Sequence, residues 1–219
     1  MRTVVSLSGG LDSTVLATCA AHERADVIGC SFDYGQTHRR ELHAAAAVAG
    51  HLGIEHMVID LKGLLAGSAL LGEGSVPDGH YAEESMSATV VHGRNLLFLS
   101  ALVPVAGSGG EVWLGPHAGD HYVYPDCRPE FWASMSATVA AAYNTEVKTP
   151  FIAQSKSGIA WLGDSVGAPM GLSWSCYKGG QVHCGRCGTC VERAEAFHLA
   201  GVNDPTDYAD ADYWRGVTA

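Results

Sequence analysis

Apolar residues recur along the chain at two spacings, and the alternation between them predicts strands that alternate with helices. Val4, Val5 and Leu7 form a short apolar run typical of a buried strand, and apolar residues at helical spacing follow from Leu11 onward. Further strands are predicted at residues 26–32, 56–60, 111–115 and 147–151, and further helices at residues 40–52, 96–106, 129–144, 158–166 and 191–199. This order predicts an α/β fold with a doubly wound, mostly parallel five-stranded sheet.

Residues 62–87 lack a clear apolar pattern, and they are rich in glycine and in acidic side chains. A single helical turn is predicted within them, at residues 64–71. A loop of this length inside a compact domain usually has a function or is disordered. We expect a substrate lid or a dimer contact, and disorder is the alternative.

A glycine-rich turn lies between the first predicted strand and the first predicted helix. It consists of Ser8, Gly9, Gly10, Leu11, Asp12, Ser13 and Thr14. The first N–H groups of a helix are unpaired and lie at the positive end of its dipole, so such a turn binds phosphate. The hydroxyls of Ser8, Ser13 and Thr14 add donors, and a bound Mg²⁺ would reconcile the Asp12 carboxylate with a phosphate. The alternative is an ordinary Gly-Gly turn capped by Asp and Ser.

The composition excludes several classes of protein. A net charge of −10 argues against a large nucleic-acid surface, which needs a basic face. The sequence has no cationic and apolar leader pattern and no apolar run of about twenty residues, so we expect a cytoplasmic protein without membrane contact. Its 219 residues suit a single domain over residues 1–219. Seven cysteines in such a protein indicate thiols or metal ligands rather than disulfides.

Four of the cysteines form a metal-binding pattern. Cys176, Cys184, Cys187 and Cys190 follow the spacing C-x7-C-x2-C-x2-C. Four thiolates at this spacing predict a tetrahedral structural Zn²⁺ site, and we assign residues 172–200 to a small C-terminal zinc-binding segment. A [4Fe–4S] cluster is the alternative, because C-x2-C-x2-C also occurs in ferredoxins.

Several polar residues lie where a ligand is expected, because doubly wound sheets bind ligands beyond the carboxyl ends of their strands. Asp33, Tyr34 and Gln36 follow the second strand, and we expect them to contact the adenosine or the second substrate of a nucleotide-dependent enzyme. Arg94 and Lys156 each lie at the start of a predicted helix, where either cation can reach a phosphate. The alternative for both is an exposed, solvated side chain.

The loop that leaves the fourth strand, at residues 115–131, carries the densest group of reactive side chains. It contains Asp120, Tyr124, Asp126 and Arg128, and functional residues concentrate on such loops. The two carboxylates suit the donor edge of a purine, which presents a ring N–H and an exocyclic amine. The alternative is that Asp126 only caps the helix at residues 129–144.

Six motifs occur in chain order: SGGLDS, FDYGQTHRRE, GRNLLFL, YPDCRPEF, KTPF, and SCY followed by HCGRCGTCVERAEAF. The first is similar to the pyrophosphate loop of ATP-pyrophosphatases in general. Together, from about residue 4 to residue 208, they resemble the 7-cyano-7-deazaguanine synthase family of the queuosine and archaeosine precursor pathway. The resemblance implies an adenine nucleotide alpha-hydrolase-like fold. His92 and the stretch GPHAGDHYV depart from the family pattern, and both flank the expected substrate pocket.

The resemblance also implies the reaction. The family adenylates 7-carboxy-7-deazaguanine with ATP, and ammonia then displaces AMP to form the amide. A second adenylation, on the amide oxygen, followed by loss of AMP, gives the nitrile. The implied cofactors are Mg²⁺ and a structural Zn²⁺, and the implied assembly is a homodimer.

On this basis each candidate residue receives an expected role. We assign catalysis to Asp12, Arg94 and Lys156, and ATP binding to residues 8–14 together with Asp33. The deazaguanine is assigned to Tyr34, Gln36, Arg94, Asp120, Tyr124, Asp126 and Arg128.

Other functions are compatible with some of the same residues. A tRNA-thiolating enzyme with the same loop would use Cys127 as its nucleophile, although the acidic charge argues against it. A relative that stops at the amide, or that joins the deazaguanine to another amine, shares all of the activation chemistry. A zinc-binding adaptor without activity is the remaining class, and turnover of ATP would exclude it.

Overall fold

The computed structural model describes residues 1–218, which contain one five-stranded sheet. The strands are β1 (Thr3–Ser6), β2 (Val27–Asp33), β3 (Glu55–Asp60), β4 (Glu111–Trp113) and β5 (Glu146–Lys148). Their order is β3-β2-β1-β4-β5, and every neighbouring pair is parallel. The prediction of an α/β fold with a parallel sheet is therefore confirmed.

Helices cover both faces of this sheet. Within residues 1–218 they are α1 (Leu11–Glu23), α2 (Arg40–Leu52), α3 (Arg94–Ala106), α4 (Pro129–Tyr143), α5 (Lys156–Ser165), α6 (Gly188–Ala200) and α7 (Tyr213–Val217). One buried apolar layer joins the sheet to α1, α2, α5 and α6, and the other joins it to α3 and α4. None of the helices in this part of the chain combines the length and the apolar character that crossing a bilayer requires.

Most element boundaries differ from the predicted ones by a few residues. Helix α5 starts at Lys156, two residues before the predicted start, because Ser155 Oγ accepts a hydrogen bond from the N–H of Gly158 at 3.1 Å and caps the helix. Strands β4 and β5 are shorter than predicted, since only three residues of each pair with a neighbour. Helix α7 has no counterpart among the predicted elements.

The connecting segment, residues 62–87, contains a 3-10 turn at Ala69–Leu71 and the start of another at Glu84–Thr89. It contacts the four-cysteine region at the other end of the sequence. Asp78 forms an isolated antiparallel bridge with Cys187, and the N–H of Gly79 donates to the carbonyl of Arg186 at 3.0 Å. The segment is therefore anchored on the cysteine region as it crosses the molecule.

The strand order defines where a ligand is expected. Strand β1 lies in the middle, with Thr3 paired to Val27 of β2 on one side and to Glu111 of β4 on the other. The chain leaves β1 for β2 on one side and reaches β4 on the other only after crossing the sheet, so a crevice opens beyond the carboxyl end of β1. The glycine-rich turn follows β1 directly.

Candidate active site

The turn between β1 and α1 is shaped by its two glycines. Gly9 has a φ of +88°, and a Cβ added there would lie 2.2 Å from the carbonyl oxygen of Glu41. Only glycine fits this close contact with the start of α2. Gly10 has extended backbone and precedes the first residue of α1. The free N–H groups of the first turn of α1 are thereby exposed towards the crevice, where an anion can bind them.

The hydroxyls of the turn are linked to each other. Ser8 Oγ and Ser13 Oγ lie 3.0 Å apart, and Ser13 Oγ accepts a hydrogen bond from the N–H of Gly9 at 3.2 Å. Thr14 Oγ1 donates to the carbonyl of Gly10 at 2.8 Å and is fully buried. Of the seven predicted residues, five line the cavity beside the turn: Ser8, Gly10, Leu11, Asp12 and Ser13. Gly9 and Thr14 lie outside this lining, and they hold the turn in shape through the close contact at Gly9 and the hydrogen bond from Thr14.

A group of charged side chains, here called the acid cluster, borders the turn. It comprises Asp12, His117, Asp120, Lys156 and Glu192. Lys156 Nζ lies 2.6 Å from Asp12 Oδ2, 3.3 Å from Glu192 Oε2 and 3.3 Å from His117 Nε2. Three carboxylates thus surround one ammonium group, which leaves the cluster with excess negative charge.

His117 lies at the centre of the acid cluster and is almost completely buried. Its Nδ1 accepts a hydrogen bond from the N–H of Gly119 at 3.1 Å, so the ring proton lies on Nε2. Nε2 lies 3.5 Å from Asp120, 3.7 Å from Glu192 and 4.0 Å from Asp12. The ring therefore presents its N–H to the carboxylates.

Electrostatics favour the charged forms of Asp12 and Lys156. Burial opposes the charge on Asp12, but the neighbouring Lys156 ammonium group outweighs it and lowers the pKa of the carboxyl. Burial also opposes the charge on Lys156, yet Asp12, Glu192 and Asp120 raise the pKa of its ammonium group well above the ordinary value. Among residues 1–218, Asp12 Oδ1 is a buried oxygen without a hydrogen-bond partner. Such an open acceptor beside a phosphate-binding turn fits a cation ligand.

The cavity extends from the acid cluster into an aromatic half, and its volume is about 250 Å³. The aromatic half is lined by Phe32, Tyr34, Phe98, Tyr124, Trp132, Trp174 and Tyr177, together with Met86, Arg94 and Cys127. The Arg94 guanidinium lies among the phenols of Tyr34, Tyr177 and Tyr124. Burial raises the pKa of Tyr34 and Tyr177, so these neighbours are neutral and leave the positive charge of Arg94 available to an anionic ligand.

Four of the ligand residues predicted outside the glycine-rich turn also lie outside the lining of the cavity. Asp33 pairs with Arg39 and with Lys62, and the Gln36 carboxamide bonds the backbone of Phe32 and Tyr34. Arg128 is exposed and donates to the carbonyl of His121. The remaining one is Asp126.

Asp126 bonds the start of a helix, but not the helix that the sequence indicated. Its Oδ2 accepts a hydrogen bond from the N–H of Asn95 at 3.2 Å, in the first turn of α3. The Asn95 amide donates back to the carbonyl of Asp126, also at 3.2 Å. Helix α4, which follows Asp126 directly, receives no cap bond from a side chain in the described structure. These two hydrogen bonds connect the loop at residues 115–131 to the start of α3, which is a distant part of the chain.

Among the residues of the site that received no role from the sequence are Glu41 and Glu192, which line the cavity, and His117, which belongs to the acid cluster. His117 lies inside the loop at residues 115–131, and its closeness in sequence to the other reactive side chains of that loop could have indicated it. Glu192 is the fifth residue of α6 and follows the last cysteine of the metal pattern by two positions. Glu41 lies in the first turn of α2. Both glutamates lie near the amino end of a helix that borders the crevice.

The four cysteines come together as predicted. The Sγ atoms of Cys176, Cys184, Cys187 and Cys190 all lie within 4.8 Å of one another. Cys184 Sγ and Cys190 Sγ are 3.9 Å apart, close to the tetrahedral edge of roughly 3.8 Å expected for metal–sulfur bonds of about 2.3 Å. Backbone N–H groups also donate to Cys176 and Cys184. The donor set and its spacing fit a metal ion.

Comparisons with known proteins point in one direction. A family model described as "Queuosine biosynthesis protein QueC" matches residues 2–201. A relative from Ruegeria pomeroyi is 50% identical over 227 residues, which are 99% of this chain and 98% of the relative. A relative from Paracoccus denitrificans is 49% identical over 228 residues, which are 100% of this chain and 98% of the relative. Both relatives are described as 7-cyano-7-deazaguanine synthase.

A solved structure adds a likeness of fold. NMN synthetase from Francisella tularensis superposes with a TM-score of 0.50 and 17% sequence identity. The superposition covers 98% of this chain and 84% of the synthetase chain. At this level of identity the likeness concerns the arrangement of strands and helices alone.

Proposed function

The chain belongs to the QueC family of queuosine biosynthesis proteins, and from this membership we propose that it is an ATP-dependent ligase that makes 7-cyano-7-deazaguanine. The observation that carries the proposal is the identity of about half of all residues, over the whole chain, to relatives described as this synthase. The substrate we propose is 7-carboxy-7-deazaguanine, with ammonia as nitrogen donor. Two adenylations, first of the acid and then of the amide, release AMP and diphosphate.

The turn after β1 is our candidate for the phosphates of ATP. Its N–H groups and the hydroxyls of Ser8 and Ser13 face the cavity, and the Lys156 ammonium lies next to them. The open Oδ1 of Asp12 suits Mg²⁺, which when bound would balance the charge that develops on the diphosphate. Lys156 and the His117 N–H would orient the carboxylates of the acid cluster and hold their charge in place.

The aromatic half of the cavity is our candidate for the deazaguanine. Planar rings such as those of Tyr34 and Phe98 suit a flat heterocycle. The Arg94 guanidinium, whose nearest partners are neutral phenols, suits the carboxylate at position 7 of the substrate. Asp120 lines the cavity whereas Asp126 does not, so we assign the donor edge of the base to Asp120.

The remaining assignments follow the family. We propose that the four-cysteine site binds Zn²⁺, which would stabilise the fold of the C-terminal segment. We also propose a homodimer that acts in the cytoplasm, where ATP is supplied, without a nucleic-acid partner. The net charge of −10 supports the last point.

A tRNA-thiolating function has little support at Cys127. The nucleophile in such an enzyme is a thiolate. Burial raises the pKa of the Cys127 thiol far above its ordinary value, and the side chain is enclosed between the cavity and α3. The thiol is therefore protonated and a poor nucleophile.

The product of the purified protein tests the proposed function. The protein is incubated with 7-carboxy-7-deazaguanine, ATP, Mg²⁺ and ammonium, and the products are measured by mass spectrometry. We expect the mass of the nitrile, with AMP released in the amount that two adenylations require. An amide that accumulates with the AMP of a single adenylation would instead identify an enzyme that stops at the amide.

A further inference from the structure

The carboxylate of Glu41 is a polar group of the cavity that the assignments above leave without a role. It lies in the first turn of α2, and its side chain is 14% exposed. Gln36 Nε2 donates to Glu41 Oε1 at 2.8 Å, and the same carboxamide bonds the carbonyl of Phe32 and the N–H of Tyr34. The carboxylate is thus fixed in one orientation at the wall of the cavity.

A buried histidine lies behind this carboxylate. The His38 side chain is 2% exposed, and its Nε2 lies 3.3 Å from Glu41 Oε2. Within residues 1–218 neither nitrogen of the ring makes a hydrogen bond, although the ring packs 5.1 Å from that of Tyr177. A buried ring whose nitrogens lack a hydrogen bond has lost its water without replacement, so the Nε2 that faces Glu41 is free to take up a proton.

The surroundings of Glu41 favour a small cation. His38 is the only basic side chain within ion-pair distance of Glu41 in the described part of the chain. The aromatic rings of Tyr34, Trp174 and Tyr177 line the same cavity. Burial and the charge of Glu41 together raise the pKa of Tyr34, so its phenol oxygen is neutral and can accept a hydrogen bond. A carboxylate, phenol oxygens and ring faces are the groups that attract an ammonium ion.

We propose that Glu41 and His38 form the site that binds the ammonium ion and removes its proton before attack. The proposal rests on the proposed function, in which ammonia supplies the nitrogen. Glu41 takes a proton from NH4⁺ and passes it to His38 Nε2, which leaves NH3 in the cavity. The nitrogen lone pair forms a bond to the carbon of the acyl adenylate, the bond from that carbon to the AMP oxygen breaks, and the departing AMP phosphate takes the second proton from the nitrogen.

The substitution Glu41→Gln tests the site. Glutamine keeps the size of the side chain and the acceptor for Gln36, but it removes the charge and the proton acceptor. We expect the KM for ammonium to rise by about tenfold or more, the usual cost of a lost charge-assisted hydrogen bond. The KM values for ATP and for 7-carboxy-7-deazaguanine should stay at wild-type values. Initial rates of AMP release, with one of the three substrates varied at a time and the other two saturating, measure all three KM values.

Hydroxylamine supplies an internal control, because it is an uncharged nucleophile at neutral pH and needs neither a cation site nor a base. The Glu41→Gln protein should form the hydroxamate from the acyl adenylate at the wild-type rate. Glu130→Gln is the matched control variant, since Glu130 is likewise the second residue of its helix but is exposed. It should leave all constants unchanged.

Three results would overturn the proposal. The KM for ammonium is unchanged in the Glu41→Gln protein, or hydroxamate formation falls in parallel with the use of ammonium, or the KM for the deazaguanine rises instead. The last result would assign Glu41 to the donor edge of the base. A wild-type protein that releases no AMP from 7-carboxy-7-deazaguanine and ATP would contradict the proposed function itself, which is a different outcome.

Discussion

Two clusters of buried charge lie at opposite ends of the sheet, and they are built differently. At the amino end of β4, the Glu111 carboxylate is 2% exposed. It accepts hydrogen bonds from Arg24 at 3.0 Å, Lys148 at 2.7 Å, the Trp113 indole at 3.0 Å and Thr3 at 3.2 Å. One carboxylate thus has two cations and two neutral donors, and both of its oxygens are engaged.

The acid cluster at the carboxyl end of the sheet has the opposite composition. Three carboxylates share Lys156 and His117, and Oδ1 of Asp12 lacks a partner within residues 1–218. A cluster that holds the fold together satisfies its own polar groups, whereas a cluster that binds a ligand leaves groups for the ligand to satisfy. The comparison therefore predicts which residues stabilise the protein and which act on a substrate.

The largest expected effect comes from a change in the acid cluster. Asp12→Asn should reduce AMP release at least about 100-fold, because the variant loses a charge at the reacting phosphates. The free energy of unfolding should change little, since the cluster already holds an excess of carboxylates. Asp164→Asn, on the exposed face of α5, is the control and should behave as wild type. If Asp12→Asn releases AMP at the wild-type rate, the role given to the acid cluster is wrong.

The four cysteines extend the comparison to a cluster that needs a metal ion. We expect zinc in the purified protein by elemental analysis, and Cys187→Ser should lose it together with several kcal/mol of stability, since zinc binding contributes on the order of 10 kcal/mol in small zinc-binding peptides. The KM for the deazaguanine should also rise, because Asp78 bridges Cys187 while Tyr81 and Met86, in the same connecting segment, line the cavity.

The control for this variant is Cys19→Ser, outside the cluster, which should keep its zinc. Iron in place of zinc would contradict the metal assignment. A Cys187→Ser protein that retains full stability would show that the cysteine region folds without the ion.

In the cluster around Glu111 we expect a substitution to lower stability without lowering activity. Glu111→Gln should reduce the free energy of unfolding by about 3 kcal/mol, because Arg24 and Lys148 lose their buried partner. Urea unfolding measures the change, and AMP release at saturating substrate should match wild type. A variant that is stable but inactive would refute the division between the two clusters.

The same cluster predicts a dependence on pH. Burial opposes the charge on Glu111, but Arg24, Lys148 and Trp113 lower its pKa from 4.5 to about 2. Its contribution to stability is therefore complete above pH 4.5 and is lost as the pH falls from 4.5 towards 2. Urea unfolding at a series of acidic pH values should show this loss in the wild type, and the Gln variant should lack this part of it.

The smallest effect distinguishes Asp120 from Asp126. Asp120→Asn should cost about 2 kcal/mol in kcat/KM for the deazaguanine and should weaken discrimination against an analogue without the exocyclic amine. Asp126→Asn keeps an oxygen that can accept from the N–H of Asn95, so we expect wild-type discrimination and a small change in stability. The opposite pattern in the two variants would restore Asp126 as the residue that contacts the base.

The sequence predicted those parts of the molecule that depend on neighbours along the chain. The glycine-rich turn and the four cysteines are short patterns whose spacing is sufficient to indicate their chemistry. The order of strands and helices followed from apolar spacing in the same way, because each element buries its own apolar face.

The rest depends on contacts between distant segments. His117 meets Asp12 and Glu192 only because β1, β4 and α6 come together in the fold, and no local pattern in the sequence indicates those contacts. Asp126 illustrates the same limit. The sequence assigned it to the base, with a cap on the following helix as the alternative, whereas its partner Asn95 belongs to α3. Residue type alone cannot distinguish a carboxylate that binds a substrate from one that bonds a helix.

The central position of β1 has a consequence for synthesis on the ribosome. Strand β1 finds β2 soon after both are made, but its other edge pairs with Glu111–Trp113, which emerges much later. Until then the N–H and C=O groups on that edge of β1 have no hydrogen-bond partners in the sheet. The side chains of Val4 and Val5, which are fully buried in the finished protein, are still partly exposed to solvent. When a ribosome stalls between β3 and β4, the nascent chain therefore exposes an unpaired strand edge that can associate with other chains. Such nascent chains should bind chaperones preferentially.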